Sequence, residues 1–154
     1  VCIAPVSFSD SIEKISFEII RQLPPKFTLI GLSMGGILAM EIIKKVPERV
    51  MKIVLMDTNF KSETSETKSK RIPQIKLVNE GKLEAVMKKQ IMQNYLIKNK
   101  KNQKILELCP IEVHREMESL IKYSTLEIIP DAAHLPTLEQ PSYLNKILKE
   151  WLLQ

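Results

Sequence analysis

Aromatic residues are scarce. Phe, Trp and Tyr make up 5% of the 154 residues, so a core must rest on Ile, Leu, Val and Met. Cysteine is nearly absent: Cys2 and Cys109 are too few for a disulfide framework or a metal site. No apolar run approaches the ~20 residues of a membrane span. Val1 to Asp10 lacks the basic start and long apolar stretch of a secretory signal. These absences exclude collagen-like, disulfide-rich and membrane-spanning chains, and make a reducing, cytoplasmic setting the expectation. Acid–base residues are few as well. Histidine occurs only as His114 and His134, and aspartate only as Asp10, Asp57 and Asp131.

What is present fits one globular domain over 1–154, with 44% apolar and 27% charged residues. Lys and Arg number 23 against 18 Asp and Glu, a net charge of +5 that reads as solubility rather than a nucleic-acid partner. The chain opens on Val1 rather than Met, which fits a processed or unusual start, or a part of something longer.

Asp10-Ser11-Ile12-Glu13 has the form of a capping box. Behind it Ile12, Ile15, Ile19, Ile20 and Leu23 share one helical face, and Pro24-Pro25 ends the helix. Phe27 to Ile30, Met34 to Lys45 and Arg49 to Met56 read as strand, helix and strand. That is a parallel βαβ unit, and its apolar strands predict a sheet covered on both faces. Asn59 to Arg71 is polar, without apolar periodicity, and reads as a loop. Residues 74–97 are helical in pattern with a break near Gly81; Leu83, Val86, Met87, Met92 and Leu96 form an apolar stripe, with the methionines as core filling. Lys98 to Lys104 reads as a solvated turn. Residues 111–122 and Ser142 to Leu153 are helical, Leu126 to Ile129 is a strand, and Val1 to Ala4 is a strand remnant.

Gly31-Leu32-Ser33-Met34-Gly35 fits G-x-S-x-G, with a strand leading in and a helix leading out. In that context a tight turn lifts the Ser33 hydroxyl above the sheet edge. Gly31 and Gly35 avoid Cβ clashes there, and the Met34 N–H points where an oxyanion would form, near the positive end of the helix. The plainer reading is a glycine-rich turn that only allows close packing. A serine nucleophile needs a base. His134 follows the predicted strand 126–129, on the same sheet edge as Ser33; it reads as a general base, or as a residue that caps the next helix. His114, within the charged run EVHREME, fits a surface role better.

With these residues in view, the chain resembles the α/β-hydrolase superfamily, and more narrowly the small bacterial hydrolases of the enol-lactonase and C–C hydrolase branch. The matching stretches are Leu23 to Phe27 leading into GLSMGG, Val46 to Val50, Glu112 to Met117, and Ile129 to Pro141 (IPDAAHLPTLEQP), which together cover most of the chain. The resemblance implies an α/β fold with a short, mainly parallel sheet, flanking helices and a helical cap at 59–108. It implies Ser33 as nucleophile and His134 as base, acting on a small-molecule ester or related acyl bond without metal or organic cofactor.

Two blocks of the family pattern have no counterpart. The acid-bearing strand belongs between Cys109-Pro110 and Glu112, where the chain runs directly into a helix. The HG-containing loop that gives the second oxyanion donor belongs before Val1 to Ala4. Asp57, at the end of the strand after the nucleophile helix, is the best substitute acid, since some hydrolases of this fold place it there; equally it is a turn aspartate bonding its own backbone. Asp131, Glu107 and Glu112 are poorer substitutes. The expectation is an incomplete, truncated α/β-hydrolase fold of three or four strands, with unpaired edges open to self-association. Its function is a serine hydrolase or, alternatively, an inactive remnant or binding module of the same family.

Overall fold

The computed structural model describes residues 1–92, 95 and 109–154. They divide into two compact units, Val1–Phe60 and Lys61–Gln154. Leu96 of the apolar stripe, the Lys98–Lys104 turn and Glu107 lie outside the described residues.

The first unit runs α1 (Ile12–Gln22), β1 (Phe27–Leu32), α2 (Met34–Lys45), a 3-10 turn (Pro47–Arg49) and β2 (Val50–Met56). β1 and β2 pair in parallel, from Phe27 with Val50 to Leu32 with Met56, so the expected βαβ unit forms. The cap of α1 differs by one residue from expectation. Ser11, not Asp10, is the N-cap: its Oγ accepts from the Lys14 N–H at 3.3 Å and donates to Glu13 Oε2 at 2.8 Å. Glu13's own backbone N–H and then the Ser11 hydroxyl hold its carboxyl below the usual range.

Ile15, Ile19, Phe27, Leu38 and Ile42 form the core, with Ile12, Ile20 and Leu23 packed against it. The α1 stripe thus faces inward as its spacing predicts. Lys45 ties α2 to α1, donating to Ser16 Oγ at 2.6 Å and to the Glu13 carbonyl at 3.1 Å. Arg49 collects the carbonyls where α1 ends: Ile20 at 3.3 Å, Leu23 at 2.6 Å and Pro24 at 2.7 Å. Its guanidinium also lies 5.3 Å from the Phe27 ring centre. A two-stranded sheet is marginal alone; here the α1–α2 layer supplies the burial.

The sheet is smaller than expected. Among the described residues it has two strands, not three or four. Val1 to Ala4 and Leu126 to Ile129 are not strands. The second case has a local cause. The Leu126 N–H donates to Glu118 Oε1 at 2.9 Å, and Ser124 Oγ donates to the Glu118 and Ile121 carbonyls at 2.8 and 2.7 Å. These bonds tie the segment to the end of a helix instead of to a strand. Cover along the two strands is uneven: Phe27 is buried, while Ile30 and Met51 are 47% and 62% exposed.

The second unit carries α3 (Ser65–Asn79), α4 (Leu83–Val86) with a π-helical turn (Met87–Ile91), α5 (Ile111–Leu120), α6 (Pro136–Glu139) and α7 (Pro141–Leu152). α3 corrects the loop expected at 59–71. Thr64 caps it by accepting from the Thr67 N–H at 3.2 Å, and Glu66 pairs with Lys70 at 2.7 Å. Caps and i,i+4 pairs can hold an exposed helix without an apolar stripe, so hydrophobic periodicity could not reveal it. The predicted break near Gly81 is real: at φ 78 it takes the left-handed conformation that ends α3. Of the apolar stripe Val86 is buried, while Leu83 and Met92 are 54% and 48% exposed. Among the described residues no helix is long and apolar enough to cross a membrane.

Candidate active site

β1 delivers the chain to Ser33 at the sheet's C-terminal edge, and α2 leaves from it. Ser33 takes φ 54 and ψ −116, a conformation L-residues rarely adopt. Such a residue costs of order 1–3 kcal/mol and persists only where its surroundings hold it. Here they do. The Ser33 N–H donates to the Met56 carbonyl at 2.9 Å. The Ser33 carbonyl accepts from the Gly36 N–H at 2.9 Å and from the Thr58 hydroxyl at 2.8 Å. Ser33 stands at the N-cap position, yet its side chain does not cap α2.

The glycines of the motif divide the steric work differently from the G-x-S-x-G pattern. A Cβ on Gly31 would lie 2.3 Å from the Gly35 carbonyl oxygen, and one on Gly36 would lie 2.6 Å from three atoms of the Thr58 side chain. A Cβ on Gly35 meets no described heavy atom within 4 Å. Gly35 therefore matters as a backbone that Gly31 approaches, not as a residue without room for a side chain. Gly36, outside the five-residue motif, is the second sterically required glycine.

Met34 opens α2, so its N–H is among the amides without an intrahelical acceptor. Its side chain is 43% exposed. Asp57 follows β2 directly. Because Leu32 pairs with Met56, Ser33 and Asp57 are the next residues on their strands and leave the same edge; Asp57 also has a positive φ, 41. The sequence reading missed Thr58, which is 1% exposed. The signal was a hydroxyl residue two positions past a strand end, too common a feature to single out.

His134 belongs to the second unit, between an Asp131 turn at φ 53 and α6. It is buried, at 7% exposure, and its ring centre lies 4.8 Å from that of Tyr95. Burial pushes its pKa below the ordinary histidine value, so it is neutral at pH 7 and has a lone pair to accept a proton. It stands one residue before Leu135, the N-cap of α6. The loop around it is stapled: the Ala133 N–H donates to Glu139 Oε2 at 2.8 Å, and Gln140 Nε2 to the Asp131 carbonyl at 3.3 Å. His114 is half-buried in α5 rather than a surface residue, with Nδ1 3.1 Å from the Pro110 carbonyl. Glu112 lies in the first turn of the same helix. A shallow depression lined by Phe8, Ser9, Lys14, Phe17 and Glu18 shares no residue with the Ser33 turn. Among the described residues no cluster of His, Cys, Asp and Glu could hold a metal ion.

No known protein-family profile matches the sequence, and no curated protein matches it. A solved structure does. The chain superposes on a thermophilic esterase from Thermogutta terrifontis, solved with malate bound, with a TM-score of 0.76 and 21% identity over 99% of this chain and 74% of the esterase. The chain therefore has the fold of an esterase.

Proposed function

We propose that this protein is a serine hydrolase that cleaves a carboxylic ester or related acyl bond, on an incomplete α/β-hydrolase fold. The observation that carries this reading is the Ser33 turn: a serine between a parallel strand and a helix, in strained geometry, with its backbone held from three sides. The esterase fold agrees with it.

Ser33 Oγ attacks the acyl carbon while His134 takes its proton, and the protonated imidazole then returns the proton to the departing oxygen. Water repeats the cycle on the acyl-enzyme. The Met34 N–H stabilises the oxyanion, a contribution of about 10²–10³ in rate for one such donor. Asp57, which leaves the same edge as Ser33, is the candidate for the acid of the triad.

Labelling with a fluorophosphonate tests this. The folded protein incorporates one probe, and Ser33→Ala abolishes incorporation. A folded sample that takes up no probe refutes the reading. His134→Ala slows labelling and ester hydrolysis by about 10²–10⁴.

A further inference from the structure

Given Ser33 as the nucleophile, we propose that Thr58 is the positioning residue that holds the nucleophile turn in its reactive shape. Thr58 is 1% exposed and follows β2 by one residue beyond Asp57. Its Oγ1 donates to the Ser33 carbonyl at 2.8 Å. The same carbonyl accepts from Gly36 N–H at 2.9 Å and lies 3.4 Å from the Ile37 nitrogen, both within the first turn of α2. The Ser33 N–H is bound from β2 through the Met56 carbonyl at 2.9 Å. One end of β2 therefore grips Ser33 on both sides of its Cα, and the Thr58 hydroxyl is the side-chain half of that grip.

Two features make this more than ordinary packing. The gripped residue has φ 54 and ψ −116, so its backbone has a more comfortable conformation to relax into when the grip is loosened. In addition, the threonine side chain fills the space that a Cβ on Gly36 would occupy, at 2.6 Å from Thr58 Cβ, Cγ2 and Oγ1. Gly36, just after the G-x-S-x-G motif, and the threonine after β2 are thus one fitted pair. The Thr58 hydroxyl bonds to the main chain of Ser33, so its effect is on where the Ser33 Oγ points.

The test uses the full chain and the fluorophosphonate probe, with the rate of the covalent step separated from the affinity of the preceding complex. Thr58→Val keeps the branched shape and removes the donor; Thr58→Ala removes both; Thr58→Ser keeps the donor. The covalent step slows by about tenfold in Thr58→Val and Thr58→Ala, the effect of one hydrogen bond of ordinary strength. Probe affinity is unchanged, and Thr58→Ser stays within about twofold of the parent. Rates are taken per folded molecule, and if Thr58→Val does not fold, the Ala and Ser pair makes the same comparison. A Thr58→Ala or Thr58→Val protein that labels at the parent rate overturns the proposal. So does a Thr58→Ser protein as slow as Thr58→Ala, because volume and not the hydroxyl would then matter. A parent protein that takes up no probe removes the nucleophile reading itself and this proposal with it, an outcome distinct from both.

Discussion

Gly31 and Gly35, four residues apart in the same turn, are expected to respond to alanine in opposite directions. At Gly31 the added methyl would sit 2.3 Å from the Gly35 carbonyl oxygen and 2.6 Å from the Gly36 nitrogen. Unstrained contact needs about 1 Å more. The obstacle is backbone, and it belongs to the first turn of α2, anchored by the Gly36 N–H on the Ser33 carbonyl. No rotamer change relieves it; strand and helix must separate. Overpacking that shifts backbone costs about 1–3 kcal/mol, occasionally more, a fall in melting temperature of about 2–12 °C for a chain of this size. At Gly35 nothing described lies within 4 Å of the added methyl, and the residue is helical. Alanine there gains about 0.5–1 kcal/mol from helix propensity. Thermal and urea unfolding of Gly31→Ala, Gly35→Ala and the parent measure both. The steric account of the turn fails if Gly31→Ala unfolds within 1 kcal/mol of the parent, taken as about the ordinary scatter of single substitutions. It fails equally if Gly35→Ala is the more damaging of the two.

Arg49→Ala leaves the Ile20, Leu23 and Pro24 carbonyls without their shared donor. A loss of about 2–3 kcal/mol is expected by urea unfolding; Arg49→Lys recovers little, because one ammonium cannot span three carbonyls as a planar guanidinium does. The His134 pKa is lowered by burial from its ordinary 6.5, so below that pH the unfolded chain binds a proton that the folded chain resists. Stability should therefore be full above pH 6.5 and decline as the pH falls below it, through the folded-state value. His134→Gln should flatten the part of this decline between about pH 6.5 and 5, where carboxylates contribute little; an unchanged slope in urea unfolding at those pH values refutes the assignment.

Much of the first unit could be read from residue pattern. The α2 bounds, Met34 to Lys45, match expectation, as do the parallel β1–β2 pair and the inward face of α1. Each depends on local spacing: apolar residues at helical intervals, β-rich runs, and prolines that stop a helix. The first half of α3, Ser65 to Arg71, escaped because its stability is in caps and ion pairs, which leave no apolar rhythm. Leu126 to Ile129 deceived because its composition suits a strand while the Leu126 N–H goes to the Glu118 carboxylate. At the candidate site, the serine turn was legible because few residue sets permit a tight strand-to-helix reversal. The histidine's burial and lowered basicity were not, since both arise from groups distant in sequence.

The amino-acid order by itself determined that a serine would stand between a strand and a helix, because a short apolar run, Gly31 and a helix-forming segment leave the chain one compact way to turn. Only the tertiary structure decided which atoms hold that serine in place. The Met56 carbonyl and the Thr58 hydroxyl are more than twenty positions away along the chain. They reach Ser33 only because parallel pairing of Leu32 with Met56 brings the two strand ends level. Contacts of that kind depend on register, a property of two strands together that neither strand carries alone.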